Sequence, residues 1–318
     1  MAWKEFRRGK CKKHDVQLFE RNLEDNLFAL REELASKAYR HGGYASFYIT
    51  DPKLRQIHKA SVRDRIVHHA VYRVLYSIFD RSFIFDSYSC RLNKGTHRAV
   101  FRLEKFARQV SRNYTGPCFV LKCDIKKFFD SIDHRILLEI IARKIRDRDI
   151  LWLVVEIIAS FSRERESKST DRRGLPLGNL TSQLFANVCL NGFDQFVKHK
   201  LRIKHYIRYC DDFVVLGDDE RELCRLIVPI SGFLEDDLGL KLHKSKVTIR
   251  KLKQGMDFLG YVALPYHRVL RTKTKRRMLK RLNASNLPSY LGLLKHCHSR
   301  QLAEIAKLKI QCKLENDN

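Results

Sequence analysis

Acidic residues are scarce in this sequence relative to basic ones. The 318 residues include 63 Lys and Arg but only 36 Asp and Glu, so the formal net charge is +27 at pH 7. The basic residues are spread along the chain rather than gathered in one tail. A chain with this charge is expected to bind a polyanion. Its affinity for a nucleic acid should fall steeply as salt is added, because each neutralised phosphate releases a counterion.

The sequence also lacks the patterns of secreted and membrane proteins. Its nine cysteines form no C-x-x-C pair, which favours thiols in a reducing cytoplasm over a disulfide framework. The string His296-Cys297-His298 has no second pair at ligand spacing, so it does not predict a zinc site. No stretch reaches the roughly 18 apolar residues of a membrane span, and the N-terminal MAWKEFRRGK has no apolar signal-peptide core. We therefore expect a cytoplasmic protein without a membrane partner.

Hydrophobic content and periodicity predict an ordered protein of mixed secondary structure. At 44% hydrophobic residues, the chain can bury a sizeable core in one large domain or in two or three closely packed subdomains. An amphipathic helix is predicted over residues 15–39, and another begins near Ser61, its N-cap. Two more helices are predicted, one capped by Asp130 or Ser131 and one from about Leu180. A strand is predicted over about residues 240–249 and a charged connector at residues 163–173.

The stretch HYIRYCDDFVVLG, residues 205–217, contains two short apolar runs that meet at an acidic pair. Alternation before the pair and a continuous apolar run after it predict a strand, a tight turn and a second strand. Asp211 and Asp212 then lie at the tip of a hairpin. Two adjacent carboxylates in apolar surroundings repel each other, so a cation, most simply a divalent metal ion, is expected nearby. Such a pair is also typical of an ordinary solvated turn.

A second acid in a similar position strengthens the metal hypothesis. Asp124 ends the apolar strand-like run Phe119-Val120-Leu121-Lys122-Cys123. If the two strands lie side by side, Asp124 and Asp211 come to one edge, where they can hold two Mg²⁺ ions about 3.5–4 Å apart for phosphoryl transfer. Asp212 is less certain as a ligand, because neighbouring residues on a strand face opposite ways.

Three signals in order along the chain resemble the palm of reverse transcriptases. They are the strand that ends at Asp124, the loop and helix from Gly174 to Gln183, and the Y-x-D-D hairpin from Tyr209 to Asp212. The resemblance extends from about Arg55 to about Val262. It implies a right-hand polymerase fold of the α+β class, with helical fingers, an antiparallel-sheet palm and a short helical thumb. It also implies an RNA-directed DNA polymerase with two Mg²⁺ ions, replaceable by Mn²⁺, on Asp124, Asp211 and Asp212.

Further site residues follow from the same resemblance. Arg55 occupies the place of a fingers residue that holds the incoming triphosphate, and Arg63 is a second candidate; both are equally consistent with solvated arginines. Phe129 occupies the place of the ring that excludes a 2′-hydroxyl. Lys246 matches a lysine that can protonate departing pyrophosphate, with Lys244 as the alternative. Template RNA, a DNA or RNA primer and deoxynucleoside triphosphates are the implied ligands.

A more specific resemblance is to the reverse transcriptases of diversity-generating retroelements. The string SFIFDSYSCRLNKGTHRAV carries it, together with the loop Pro176-Leu177-Gly178-Asn179-Leu180-Thr181-Ser182-Gln183. Most reverse transcriptases have Gln where this chain has Leu177, and Pro where it has Gln183. The retroelement enzymes have an aliphatic residue and Ser-Gln at these places. This resemblance implies misincorporation opposite template adenines and a small basic accessory protein, an oligomer, as partner.

Nucleic-acid contacts are predicted at three places. Arg91 and Lys94 lie in a basic turn that opens a helix, which can hold phosphate through cations and backbone N–H groups. Gly260 lies in a hairpin that resembles the primer grip. Basic residues are more crowded between residues 271 and 281 than in most helices, which favours contacts with the nucleic-acid backbone. The predicted contacts are Arg271, Lys273, Lys275, Arg276 and Arg277.

The predicted domains are an N-terminal helical extension (1–50), fingers and palm (51–268) and thumb (269–318). Two alternatives remain open. One is a retron-like or group II intron-like reverse transcriptase, and the other is a non-catalytic RNA-binding protein on a polymerase fold.

Overall fold

The computed structural model describes residues 1–50, 53–164 and 172–316 of the chain. Most of the predicted connector, residues 165–171, lies outside these described residues. The helices are α1 (Ala2–Arg7), α2 (His14–Arg21), α3 (Leu23–Ala35), α4 (Val62–Phe79), α5 (Thr96–Val110), α6 (Phe128–Ser131), α7 (His134–Ala142), α8 (Arg148–Glu164), α9 (Leu180–Gln195), α10 (Glu220–Leu238), α11 (Thr272–Arg281), α12 (Leu287–Leu294) and α13 (Arg300–Asn316).

The strands are short and all pair in antiparallel fashion. They are β1 (Tyr44–Ile49), β2 (Arg55–Ala60), β3 (Phe119–Asp124), β4 (Tyr206–Tyr209), β5 (Asp212–Gly217), β6 (Thr248–Lys251), β7 (Met256–Phe258), β8 (Tyr261–Ala263) and β9 (Arg268–Leu270). They form a hairpin β1-β2, a four-stranded sheet in the order β4-β5-β3-β6, and a three-stranded sheet β7-β8-β9. The mixture of helices and antiparallel sheets is the α+β class that the sequence predicts.

The chain forms two compact units, each made of three chain segments. Unit one contains Met1–Ile84, Ile125–Phe196 and Gly232–Lys241, and unit two contains Phe85–Asp124, Val197–Ser231 and the chain from Leu242 onward. The units therefore interleave along the chain, whereas the domains predicted above are consecutive. The predicted boundaries after residues 50 and 268 stay a prediction.

Unit one is mainly helical. Ser61 caps α4 as predicted, since its side chain accepts a hydrogen bond from the Asp64 backbone N–H. Helix α4 contacts α1, α8 and α9. Helix α9 begins at Leu180, as predicted, and is buried along most of its length, from Thr181 to Phe193. The hairpin β1-β2 pairs Tyr44 with Ala60 at one end and Ile49 with Arg55 at the other.

Unit two is built around the four-stranded sheet. Helix α5 packs on β4 and β5 through a buried apolar face that includes Ala99, Leu103 and Phe106. The same core continues into the three-stranded sheet through Phe258 and Tyr261. It reaches helices α11, α12 and α13 through Met278, Leu294 and Leu302. Sheet and helices thus share one core in this unit.

Three local expectations were wrong. Residues 15–39 form two helices rather than one, because the backbone leaves helical geometry at Asn22 (φ −123°, ψ 50°). Asp133, not Asp130 or Ser131, caps α7, since its carboxylate accepts from the backbone N–H groups of Arg135 and Ile136. The strand predicted over 240–249 lies at Thr248–Lys251, because Lys244–Lys246 form a 3₁₀ turn.

No disulfide joins any of the nine cysteines, all of which lie in the described part of the chain. Within those same residues, no helix combines the length and the apolar character needed to cross a lipid bilayer.

Candidate active site

The structure places the three predicted acids at one end of the four-stranded sheet of unit two. Strands β3 and β5 pair so that Asp124 lies directly opposite Asp212. Asp211 lies in the two-residue turn with Cys210, between β4 and β5. Directly opposed residues on antiparallel strands project from the same sheet face, with Cβ atoms about 5 Å apart. The hairpin is therefore formed as predicted, and Asp212 is the acid that directly faces Asp124.

A buried arginine holds the turn that carries Asp211. Cys210 adopts a left-handed conformation (φ 59°), which reverses the chain before Asp211. Arg208, fully buried in β4, donates from Nη1 to the Cys210 carbonyl (3.1 Å) and from Nη2 to the Ser87 hydroxyl (3.1 Å). The backbone of residues 86–88 runs parallel to β4 and exchanges hydrogen bonds with Arg208. The turn is thus fixed from the side opposite β5.

Two lysines of unit two neutralise part of the acidic charge. Lys246 Nζ lies 2.6 Å from Asp124 Oδ1. Lys122 Nζ lies 3.5 Å from Asp212 Oδ2 and donates to the Asp257 carbonyl at 2.9 Å. Lys246 is brought there because the His243 backbone N–H donates to the Asp124 carbonyl (2.8 Å) and the 3₁₀ turn follows. Of the two lysines considered from the sequence, Lys246 is the one that contacts the acids.

Burial and mutual repulsion raise the pKa of both hairpin acids. Burial is the largest cause for Asp211, and the neighbouring Asp124 charge adds to it. For Asp212 burial raises the pKa to about 6, with repulsion from Asp124 and Asp211 and a partial offset by Lys122. The two lysines therefore leave the cluster short of positive charge, as expected of carboxylates placed to receive a cation.

The side chains fit a magnesium site completed by substrate. Asp212 Oδ1 is buried and has no hydrogen-bond partner within the described residues. Those residues also contain no group of three or more His, Cys, Asp or Glu side chains that could hold a metal ion by themselves. Mg²⁺ is usually held by only one or two carboxylates together with water and substrate phosphates, which matches a pair of opposed acids.

In unit one, the loop before α9 packs tightly against β2. The Leu177 carbonyl accepts from the His58 backbone N–H (2.9 Å), and the Asn179 amide donates to the His58 carbonyl (2.9 Å). Gly178 has φ +108°, and a Cβ there would lie 2.6 Å from Ile57 Cγ2. Only glycine fits this place without strain and without a shift of the Ile57 side chain, the loop or β2. Leu177 and Gly178 are therefore held by the strand that begins at Arg55.

The other predicted substrate residues of unit one differ in their surroundings. Arg55 is exposed at the start of β2. Arg63 lies in the first turn of α4, where its guanidinium pairs with Glu33 and Asp64 and stacks on Tyr39. Phe129 lies in α6, and its carbonyl accepts from the Leu175 backbone N–H. Gln183 is exposed on α9. Their roles in substrate binding stay predictions.

Gln183 also lines a cavity of about 280 Å³ together with Lys10, Arg65 and Gly178. Burial and the nearby Arg65 charge lower the pKa of Lys10. Two cations therefore face the same space as the loop that the sequence singles out.

The predicted nucleic-acid residues all belong to unit two. Lys94 donates to the Phe85 carbonyl (2.7 Å) and lies 3.4 Å from the centre of the Phe85 ring, and Arg91 donates to the Ser87 carbonyl (3.0 Å). Gly260 has φ +90° between β7 and β8, and its carbonyl accepts from the Arg271 N–H.

Arg271 precedes α11 and pairs with Asp257 (2.8 Å). On α11, Lys273, Lys275 and Arg276 are exposed and Arg277 is half-buried.

Three residues of these sites were not singled out from the sequence. Lys122 lies two residues before Asp124, so strand alternation places both on one face. Arg208 is a charged residue inside an apolar strand, which is a sign of a buried hydrogen-bonding role. Asn179 follows the motif glycine. The acids, Lys122, Lys246 and the basic α11 belong to unit two, whereas Arg55, Arg63, Phe129, Leu177, Gly178 and Gln183 belong to unit one.

Comparison with known proteins gives a consistent result. Residues 50–263 match the family model described as reverse transcriptase (RNA-dependent DNA polymerase). Protein YkfC of Escherichia coli is 26% identical over 81% of this chain and 74% of its own length. The group II intron-encoded protein LtrA of Lactococcus lactis is 23% identical over 66% of this chain and 44% of its own length.

Solved structures share the fold. Telomerase from Candida albicans, solved with a fragment of telomeric RNA, covers 87% of this chain with a TM-score of 0.57 and 12% sequence identity. This chain spans 55% of that telomerase chain. Apo telomerase from Candida tropicalis gives a TM-score of 0.56 over 78% of this chain. At these identities the likeness concerns the fold, and it confirms the polymerase fold class predicted from the sequence.

Proposed function

Because the chain belongs to the reverse transcriptase family, we propose that it copies RNA into DNA at the acidic end of the four-stranded sheet. The observation that carries this proposal is the pairing of Asp124 with Asp212, with Asp211 in the adjoining turn and Lys246 bonded to Asp124. The reaction is attack of a primer 3′-hydroxyl on the α-phosphate of a deoxynucleoside triphosphate, with release of pyrophosphate.

Asp124, Asp211 and Asp212 would hold two Mg²⁺ ions, with Mn²⁺ as a substitute. Bound metal supplies Lewis-acid stabilisation of the negative charge that develops on the transferred phosphoryl group. The protein itself contributes position: the Asp124–Asp212 register and the Arg208-held turn fix the carboxylates before substrate arrives. The orphaned Asp212 Oδ1 and the raised pKa values of both hairpin acids support this assignment.

Lys246 is proposed as the proton donor. Its ammonium group lies against Asp124, and it would donate a proton to the departing pyrophosphate oxygen as the P–O bond breaks. Arg55, Arg63, Phe129, Leu177, Gly178 and Gln183 are proposed substrate contacts. Arg91, Lys94, Gly260 and the basic residues from Arg271 to Arg277 are proposed contacts of template and primer.

Replacing the acids tests the catalytic assignment. Asp124→Asn and Asp211→Asn should each lower primer extension on an RNA template by at least about a hundredfold, because charge stabilisation at the phosphoryl group is lost. RNA affinity, measured by fluorescence anisotropy, should stay near that of the wild type. Asp237→Asn, an exposed acid on α10, is the matched control. Extension that survives either catalytic change would contradict the proposal, and metal-dependent extension by the wild type would exclude the non-catalytic alternative.

The finer proposal is that the enzyme belongs to a diversity-generating retroelement and copies a template-repeat RNA with errors at adenines. Leu177 supports it, because an aliphatic side chain there removes a hydrogen-bonding group near the nascent base pair. Leu177→Gln should therefore reduce misincorporation opposite adenine, measured by sequencing the cDNA made from a defined RNA. Val228→Gln, which replaces an exposed aliphatic residue on α10, is the control. Equal error rates in Leu177→Gln and wild type would contradict this assignment.

A group II intron-like reverse transcriptase is the second candidate, since LtrA and a putative COX1/OXI3 intron 2 protein of Saccharomyces cerevisiae are among the similar sequences. The two candidates differ in the RNA that they use. The retroelement enzyme should require a small basic accessory protein and a template-repeat RNA, whereas an intron-like enzyme should copy intron RNA without that partner. Sequencing cDNA from both RNAs, with and without the accessory protein, distinguishes them.

A further inference from the structure

A cleft in unit two lies at the end of the sheet opposite the acids. Residues 114–119 form one wall and residues 251–253 the other, and its volume is about 310 Å³. Phe119 and Lys251, which pair in register, lie at its base. Phe119 begins β3 and Asp124 ends it, so the cleft and the acids are roughly 17 Å apart along the strand. The cleft is therefore separate from the candidate active site.

The lining of the cleft carries two lysines and two aromatic residues, Tyr114 and Phe119, among small and apolar residues. Lys251 and Lys253 are both exposed, and no Asp or Glu is found among the described residues that line the cleft. Lys251 lies over the Phe119 ring, 5.7 Å from its centre. Tyr114 lines the cleft and contacts Tyr266 at 4.7 Å between ring centres, and Tyr266 is 74% exposed. Lysines beside an exposed aromatic ring are the combination that binds unpaired nucleotides.

A strained turn forms one wall of the cleft. Arg112, Asn113 and Tyr114 have consecutive positive φ angles of 50°, 61° and 67°. The turn is closed by a hydrogen bond from the Gly116 N–H to the Ser111 carbonyl (2.8 Å), and Ser111 Oγ accepts from the Tyr114 N–H (2.8 Å). Left-handed backbone is unfavourable for residues other than glycine, because Cβ crowds the following carbonyl oxygen. Such strain is typical of segments kept for binding.

Helix α5 leads to the cleft with a basic outer face. Arg98, Phe101, Lys105 and Arg108 are exposed at spacings of three or four residues, so they share one face. The single acid of this helix, Glu104, is half-buried and pairs with Arg268 (3.3 Å). Arg108 lies against Tyr114, with Nε 3.4 Å from the hydroxyl oxygen. Cations therefore continue along the helix up to the cleft wall.

We propose that this cleft binds one unpaired nucleotide of RNA outside the polymerising site, while the flanking phosphates follow the outer face of α5. The base would stack against the exposed ring of Tyr266, which lies beside the cleft in contact with the buried Tyr114, and Lys251 and Lys253 would bind its phosphate. The volume lies in the range of small-ligand pockets, and the absence of acids from the lining matches a polyanion. This site would hold single-stranded RNA away from the acids.

Binding of a fluorescein-labelled single-stranded oligouridine tests the proposal, measured by anisotropy with a short RNA–DNA duplex present in excess. Tyr266→Ala should weaken binding about tenfold, as the loss of one stacked base does. Lys251→Gln with Lys253→Gln should reduce the slope of log affinity against log salt by about 0.7, the contribution of the one phosphate contact that is lost. A 4-thiouridine oligonucleotide should crosslink to residues 111–119 or 251–266.

Lys200→Gln with Lys204→Gln is the matched control, because it removes two exposed lysines elsewhere in unit two. Wild-type affinity and slope in the cleft variants, or crosslinks confined to other segments, would overturn the proposal. Its failure is distinguishable from failure of the proposed polymerase. The cleft residues are not assigned to polymerisation, so the cleft variants should extend a short duplex at the wild-type rate. Asp211→Asn should keep single-strand binding.

Discussion

Several single residues of this protein combine burial with charge or hydrogen bonding. Burial raises the pKa of both hairpin acids and repulsion from Asp124 adds to it, and the fully buried Arg208 holds their turn. In unit one, His68 is buried within hydrogen-bonding distance of His41, with Nε2 atoms 3.0 Å apart. Its Nδ1 lies 3.4 Å from Thr181 Oγ1, at the start of α9. Such groups make stability depend on protonation.

His68 should cause the protein to lose stability in mild acid. Burial, and then the charges of His41, His69 and Arg65, lower the pKa of His68 to about 3. The unfolded chain therefore binds a proton near pH 6.5 that the folded chain does not bind until about pH 3. The stability is fully present above about pH 6.5 and is lost as pH falls, by at most about 1.4 kcal/mol per pH unit. Urea unfolding followed by circular dichroism between pH 4.5 and 7.5 measures it.

His68→Gln removes this titration and tests whether His68 is the residue responsible for the loss of stability. The difference in unfolding free energy between wild type and variant should shrink as pH falls. Only the wild type has a His68 that binds a proton in the unfolded chain but not in the folded chain. His14→Gln, at the exposed start of α2, is measured in the same way as a control. Curves for wild type and His68→Gln that stay parallel over the whole range would show that His68 does not contribute.

Among the elements, the loop before α9 is fixed by close contacts with β2. Its Leu177 carbonyl and Asn179 amide both bond to His58 of β2, and Gly178 lies against Ile57 with no room for a side chain. The loop and the strand that begins at Arg55 therefore act as one element. A change in either should move the other.

Gly178→Ala should disturb this element. The positive φ costs about 1–2 kcal/mol, and a Cβ at 2.6 Å from Ile57 Cγ2 forces the Ile57 side chain, β2 or the loop to shift. We expect a lower free energy of unfolding and slower primer extension. Gly43→Ala, where an added Cβ meets nothing within 4 Å, should change stability by less than about 0.5 kcal/mol. Equal stability and activity in both variants would show that the close contact at Gly178 is not required.

For the whole molecule, charge is the dominant property. The net charge of +27 is spread along the chain, so long-range attraction to nucleic acid does not depend on one helix alone. Helix α11 nevertheless concentrates exposed cations, and Lys273, Lys275 and Arg276 are free of ion pairs among the described residues. The overall charge and this helix should both appear in the salt dependence of binding.

The affinity for an RNA–DNA duplex should fall steeply between 50 and 200 mM salt, by about a thousandfold or more if six to ten phosphates are contacted. The triple change Lys273→Gln, Lys275→Gln, Arg276→Gln should reduce the slope of log affinity against log salt by about 2.7, or about 0.9 per phosphate. Titration by fluorescence anisotropy measures both. The Lys200→Gln, Lys204→Gln double variant should keep the wild-type slope, and an unchanged slope in the α11 variant would remove this helix from the interface.

The local elements of the site were largely predictable because they depend on short-range patterns. Alternation and an apolar run around Asp211 indicate the hairpin, and Ser61 and Leu180 begin helices where the sequence indicates. The cap at Asp133 was missed, since the sequence offers three candidate capping residues within four positions and only the backbone path selects one. The strand near residue 249 was misplaced because the 3₁₀ turn depends on a bond from His243 to Asp124, far away along the chain.

Family, fold class, net charge and the identity of the acids were determined by the sequence alone, because motif order, periodicity and composition are properties of the chain itself. Tertiary structure alone decided that Asp212 faces Asp124, that Lys246 rather than Lys244 contacts an acid, and that Lys122 and Arg208 support the cluster. These facts depend on strand register and on contacts between residues up to 122 positions apart. Strand β3 pairs with β5 and β6 from distant parts of the chain, and the hydrophobic pattern of one strand alone does not specify which strand becomes its partner.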